Sequence, residues 1–161
     1  MVHKKIDHQF AFKELEYETE ENYQPCIKLS FFFSKLPHVS YEHFHKHYAH
    51  VHADLTVASK NFNVCKIQRY VQTHQTPEMK EKVKSLGMDL LDYDGCSQIW
   101  VKSWDDWEKF FTSPEYAAAL GPDCANFMDT SNGIKVMAGT DLIVFGKAIP
   151  DCDAKDGLAS T

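Results

Sequence analysis

Six of the nine histidines in this 161-residue chain fall between His38 and His52, in the run PHVSYEHFHKHYAHVHADL. Imidazole changes charge closer to neutral pH than any other unperturbed side chain, so such a run offers proton transfer or metal ligation. On a helix at ~100° per residue, His43, His47 and His50 form one stripe. Three rings at i, i+4 and i+7 can converge on one ion. That stripe, however, lies ~120° from the apolar face by the same helical arithmetic. A metal centre needs supporting partners and a shaped cavity, which a solvent face does not supply. The spacing therefore predicts solvated histidines and no functional metal. His52 is placed differently. Tyr48 stands one helical turn before it, at the margin of the buried face, where an imidazole can meet a ligand in a partly dry pocket. The alternative is an ordinary core or edge histidine.

Other polar residues stand in apolar settings. Lys28 and Ser30 share a strand face with Phe32, and a lysine in a central strand needs a cavity or a carboxylate to face. Further on, Lys66, Gln68, Tyr70, Gln72 and His74 share one face, while Cys65, Ile67 and Val71 share the other. A polar strand face is either exposed at a sheet edge or, beneath a helix layer, the wall of a ligand cavity. Tyr70 and His74 are the members best suited to meet a ligand. Asp94, before Gly95, is a turn carboxylate or the partner of a histidine, and Asp-Gly favours the turn. Asp123 follows Gly121-Pro122 and suits the first turn of a short helix, complementing its dipole. Trp104, Trp107, Phe110 and Phe111 read as core, although such aromatic walls also suit a planar ligand. There is no Gly-rich phosphate loop, GxSxG, HExxH or dinucleotide fingerprint. General acid–base chemistry without an organic cofactor fits the residues present.

These residues need a scaffold, and the chain punctuates one. Cys26 to Ser34 is an aromatic-rich strand ended by Lys35-Leu36-Pro37. Ser40 caps an amphipathic helix with Phe44, Tyr48, Val51 and Leu55 on its buried face. Val64 to His74 is a second strand, Pro77 opens a charged helix ended near Gly87, and Gly95 to Val101 is a third strand. Ser103 caps an aromatic helix, Ser113-Pro114 restarts a short one through Leu120, and Ile134 to Phe145 is the last strand, with a bulge at Gly139. Without the 75–92 insertion the order is βαββαβ, an α+β, ferredoxin-like sandwich with four antiparallel strands and two helices on one face. In the first strand Leu29, Phe31 and Phe33 point one way and Phe32 the other. Both sheet faces then need cover, which predicts a homodimer through the open face.

Residues 1–24 read as a charged extension, 25–147 as the folded domain and 148–161 as a disordered tail. Seventeen basic residues against 23 acidic ones leave a net charge of −6, with no basic stripe for nucleic acid. Five cysteines (26, 65, 96, 124 and 152), an odd count without CxxC, suit reduced thiols. No apolar run is long enough for a bilayer and no secretory signal is visible, so a cytoplasmic protein is expected, away from membranes.

Several stretches resemble the EthD family of the dimeric α+β barrel superfamily. They are the first strand ending in Lys-Leu-Pro, then VSYEHFHKHYAHVHADL, RYVQTH, YDGCSQIWVKSWDDWEKFFTSPEYAAAL, and PDCANFMD before the last strand. Residues 1–24 and the extra histidines depart from the family pattern. The resemblance implies a homodimer with a ligand cavity between each subunit's helices and sheet. It also implies kinship with small cofactor-independent fungal lyases, decarboxylases and dehydratases that tailor aromatic polyketides. The family's helix histidine carries over onto His52, its neighbouring aromatic onto Tyr48, and its acidic residue opening the third strand onto Asp94. The expected activity is a lyase in secondary metabolism acting on an aromatic, polyketide-like small molecule. His52 is its general acid or base, Tyr48 and His74 donate to a developing enolate or phenolate oxygen, and Asp94 orients a histidine. Lys28 binds a substrate carboxylate or carbonyl, and Ser30, Phe32, Tyr70 and Trp107 complete the substrate wall. The rival readings are a cofactor-free oxygenase or cyclase, a haem- or metal-binding barrel, and a non-catalytic binding barrel.

Overall fold

The computed structural model describes residues 7–159. One compact unit is Pro25–Asp141. Strand β1 (Ile27–Lys35), with three consecutive phenylalanines at its middle, is its centre. It pairs antiparallel with β3 (Gly95–Val101) on one side and β5 (Lys135–Gly139) on the other. Strand β2 (Arg69–His74) adds outside β3, and the two-residue β4 (Met128–Asp129) pairs with Ser34 and Lys35 at the end of β1. The order β2-β3-β1-β5, antiparallel throughout, is that of a ferredoxin-like α+β fold.

The residues of β1 that face the helices, Leu29, Phe31 and Phe33, stand beside Ile99, Ser97 and Gly95 of β3. Gly95 is required for close approach: a Cβ there would come within 2.9 Å of the Phe33 ring and 3.2 Å of Phe44. Phe33, Phe44, Tyr48, Phe127 and Met128 form one buried cluster, and Cys65, Phe110 and Leu120 a second.

The helix between β1 and β2 changes type twice. It starts as α1 (Tyr41–Lys46), capped by the Ser40 hydroxyl on the His43 N–H at 3.2 Å. It continues as a π-helix, His47–His52, and returns to α-helix in α2 (Ala53–Val57). A π turn holds more residues than an α turn, so it unwinds the helix locally. The buried stripe therefore runs Phe44, Tyr48, His52, Thr56 at constant steps of four, while Val51, expected on the buried face, is exposed. Helix α3 (Lys60–Val64) precedes β2 where the sequence reads as strand from Val64. Helix α4 (Pro77–Ser85) is capped by Thr76 and ends before Gly87, whose φ of +69° closes the turn. Helix α5 (Trp104–Phe111), capped by Ser103, leads through a second π turn, Tyr116–Leu120, into α6 (Gly121–Cys124).

The second compact unit joins the two ends of the chain, up to Gln24 and from Leu142. Its bonds include Ile143 N–H to Asn22 O at 2.9 Å and Ile149 N–H to the Gln24 side chain at 2.8 Å. The sequence reads these ends as an extension and a disordered tail. Instead Gly146 and Leu158 exchange backbone bonds with their neighbourhood, and the last strand stops at Gly139 rather than Phe145. Partners more than a hundred residues apart leave no local signal of this kind. Among the described residues no helix is long and apolar enough to cross a membrane.

Candidate active site

The first π turn and α6 bring two imidazoles onto one carboxylate. His52 Nδ1 lies 2.9 Å from Asp123 Oδ2, and His47 Nε2 lies 2.7 Å from Asp123 Oδ1. On an ideal α-helix residues five apart diverge by ~140°; the π turn swings both rings to the same side. Asp123 is buried, and Asn126 adds an amide contact to Oδ1 at 3.4 Å. Burial alone would raise the Asp123 carboxyl, but the bonds to His47 and His52 outweigh it and hold the pKa below the usual carboxylate range. For His52 burial wins: it lowers the pKa below the ordinary imidazole value although Asp123 pulls it up. His52 is thus a neutral imidazole at neutral pH, with Nδ1 anchored.

The His52 ring lines a pocket between the helices and the sheet. The sheet contributes Phe31, Tyr70, Ser97 and Ile99, and the helices Thr56, Trp107, Phe110, Tyr116 and Cys124. Space for the centres of water-sized molecules is ≈ 70 Å³, several times the ~10–15 Å³ that one water needs. Trp107 stands over Phe31 with ring centres 5.2 Å apart, giving flat aromatic walls. Burial pushes the Tyr70 hydroxyl up, although bonds to Gln72, Ser97 and Thr56 work against it. Burial also raises the Tyr116 hydroxyl to about 12 and the Cys124 thiol to about 11, so both stay protonated.

Residues 36–131 match the EthD domain. The chain belongs to the EthD family. A solved structure similar to this EthD chain is an ethyl tert-butyl ether D family protein from Bacillus halodurans. It has a TM-score of 0.49 and 17% identity, over 73% of this chain and 99% of that one. A DABB family protein with a ferredoxin-like fold from Mesorhizobium loti has a TM-score of 0.47 and 12% identity, over 73% and 95%. A dimeric ferredoxin-like protein from Thermobifida fusca has a TM-score of 0.45 and 14% identity, over 73% and 90%. No curated protein sequence matches the chain.

The fold of this EthD domain sorts the residues singled out in the sequence. His52, Tyr70 and Trp107 line the pocket together. Tyr48 and His74 are not among the residues that line it. Tyr48 is fully buried, its hydroxyl on Ser97 Oγ at 2.8 Å, and its ring lies 4.7 Å from that of His74. His74 also connects to the pocket through Gln72, whose side-chain oxygen is 3.2 Å from His74 Nε2 and whose amide nitrogen is 2.8 Å from the Tyr70 hydroxyl.

Lys28, Ser30 and Phe32 are a correction. Strand alternation puts them on the sheet face opposite Phe31 and Phe33, away from the pocket. Lys28 does face a carboxylate, Asp141 at 3.4 Å, and lies over the Trp100 ring at 5.0 Å. Trp100 donates its indole N–H to the same Asp141 at 2.7 Å. These are contacts of that face, not of a substrate wall.

Asp94 is a second correction. Its Oδ1 takes Lys80 Nζ at 2.6 Å and its Oδ2 the Lys35 N–H at 2.8 Å. Its own N–H donates to Phe33 O at 3.0 Å, so it continues the sheet's hydrogen bonding at the bend before β3. The carboxylate that holds histidines is Asp123, which the sequence reads as a helix-dipole residue. His47 is the third correction: it leaves its stripe for Asp123, while His43 and His50 stay exposed. Among the described residues no group of three or more His, Cys, Asp or Glu is arranged to hold a metal ion. No spacing rule pairs residue 52 with residue 123, and the i, i+5 relation of the two histidines is silent unless the π turn is known.

Proposed function

We propose that the protein is a cofactor-independent lyase, a dehydratase or decarboxylase, acting on an aromatic, polyketide-like small molecule held at His52. The observation that carries this reading is a buried imidazole anchored at Nδ1 by a carboxylate, at the wall of an aromatic-lined pocket. An Asp that fixes one ring nitrogen selects the tautomer and leaves Nε2 as the base. In dehydration, Nε2 takes a proton from the carbon beside a ring carbonyl, and the C–H pair becomes the enolate. The enolate pair then forms the new double bond as the hydroxyl on the next carbon leaves, taking the proton back from His52 as water. In decarboxylation, Nε2 first takes the proton of the substrate's carboxyl group, and the pair left on the ring carbon by departing carbon dioxide is quenched by that same proton, which returns His52 to its neutral form. In both, a developing oxyanion needs a donor, and Tyr70 with its high pKa stays protonated to serve.

We read the working assembly as a homodimer. Strand β5 is an edge with every residue exposed, and β1 presents aromatic side chains to both sheet faces. Native mass spectrometry checks this directly.

The function is tested by incubating wild type and His52→Ala with a panel of hydroxylated aromatic ketones and aromatic acids. Loss of water or carbon dioxide is followed by mass spectrometry. The variant is expected to lose ~10²–10⁴-fold in kcat on any compound that wild type converts. Equal turnover by the two proteins would overturn the reading.

A further inference from the structure

Behind the pocket runs a line of hydrogen bonds whose direction the backbone dictates. Gln72 Nε2 lies 2.8 Å from the carbonyl oxygen of Tyr48. A carbonyl only accepts, so this atom is the amide nitrogen and the side chain has one possible orientation. The second amide hydrogen goes to Tyr70 Oη at 2.8 Å. The amide oxygen must then accept from His74 Nε2 at 3.2 Å, which makes His74 the Nε2–H tautomer with a bare Nδ1. That Nδ1 lies 2.9 Å from His45 Nδ1, which in turn must be the donor. His45 Nε2 is left as a bare acceptor, and it is buried with no hydrogen-bond partner. Every link from His45 to Tyr70 thus points the same way.

We infer that His45, His74 and Gln72 are positioning residues that fix Tyr70 as a hydrogen-bond donor into the pocket, and that the ligand presents a carbonyl or phenolate oxygen to it. Having received a hydrogen from Gln72, the Tyr70 oxygen has its own hydrogen to give. The polar groups within its reach on the pocket side are the Ser97 and Thr56 hydroxyls. Thr56 spends its hydrogen on the His52 carbonyl at 2.7 Å, and Ser97 is joined to the Tyr48 hydroxyl at 2.8 Å. A ligand oxygen can displace either hydroxyl as the acceptor. The inference rests on the pocket at His52 being a ligand site and adds the ligand's chemistry. One wall takes a proton, the other gives a hydrogen bond, and between them fits a flat ring bearing an oxygen acceptor. Burial, and then the neighbouring His45, keep the His74 pKa below the ordinary value, so the neutral ring that the chain requires is the form present at neutral pH.

The test pairs two probes of one shape, 1-indanone and indane, which differ by a single carbonyl oxygen. Affinities are measured by calorimetry on wild type, Gln72→Glu and Tyr70→Phe. Gln72→Glu keeps the shape but turns the amide donor into an acceptor, so Tyr70 donates backwards and its hydrogen leaves the pocket. Wild type is expected to prefer the ketone by ~5–30-fold, and both variants to lose that preference while holding indane unchanged. Two-bond nitrogen-15 spectra of the ligand-free protein are expected to show His74 protonated at Nε2 and His45 at Nδ1. If both probes bind and Gln72→Glu leaves the ratio intact, or if the spectra show the opposite tautomers, the chain is refuted while the pocket stands. If neither probe binds wild type, the ligand site and the chain fall together. Tyr70→Phe, a conservative change, decides the ratio should the glutamate variant fail to fold.

Discussion

Two buried carboxylates of this domain, Asp94 and Asp123, have opposite histories in the sequence and opposite surroundings in the fold. Asp94 is held by Lys80 and by the Lys35 backbone N–H, with Tyr41 as a further hydrogen-bond partner. Burial would raise its pKa, but these partners outweigh it and hold it below the usual range, while Asp92 and Asp94 raise Lys80. Neither member of that pair changes charge between pH 5 and 8. Asp123 meets two imidazoles instead, one of which borders the pocket. A carboxylate against lysine is a fixed clamp, here pinning the 75–92 insertion to the end of β1. A carboxylate against histidine is adjustable near neutral pH. The partner, not the carboxylate, decides whether the pair can change charge near neutral pH.

Replacing each carboxylate by its amide should break the symmetry of the two sites most sharply. Asp123→Asn leaves His52 without its charged anchor, and kcat is expected to fall ~10²–10⁴-fold in the assay that reports wild-type turnover. Asp94→Asn should keep turnover and lose about 2 kcal/mol of stability, since Lys80 is left in a mostly buried position with only Asp92. For a chain of this size that is a fall of ~4–8 °C in Tm, read by calorimetry. A rate defect in Asp94→Asn at unchanged Tm would erase the distinction.

The smallest expected effect is in pH. His52 has a folded pKa below its unfolded value near 6.5, so the unfolded chain binds more protons as pH falls through that window. Its contribution to stability is present above about pH 6.5 and is lost as pH drops through the lowered folded value, and the base form disappears with it. A kcat/KM profile should show an acid limb below pH ~6.5, accompanied by a modest fall in Tm. Asp94→Asn should keep that limb. The depressed carboxyl of Asp94 contributes stability above its unfolded value near 3.9, lost only as pH falls through its folded one, well outside this window.

Much of the scaffold was legible because its signals are local. The third strand, Gly95–Val101, and helix α5 after its Ser103 cap are where alternation and capping put them. The βαββαβ order follows from counting such elements. The pocket lining was legible only where one residue sufficed: His52 by its margin position, Tyr70 by its strand face, Trp107 by its aromatic helix. Asp123 stands in the first turn of α6, as the sequence reads, but a carboxylate there looks the same whether or not an imidazole comes to meet it. Lys28, Ser30 and Phe32 were placed on the wrong wall because alternation says that two faces exist, not which one the helices cover.

The sequence by itself determined most of the elements, their order, and a histidine at the margin of the first helix's buried face, since propensity, capping and periodicity act over a few residues. Tertiary structure alone decided which carboxylate holds that residue, which sheet face it shares, and which way the hydrogen bonds behind Tyr70 run. Those depend on a π turn and on contacts between residues dozens of positions apart, such as His52 with Asp123 and Gln72 with the Tyr48 carbonyl. Their geometry exists only once the chain has packed.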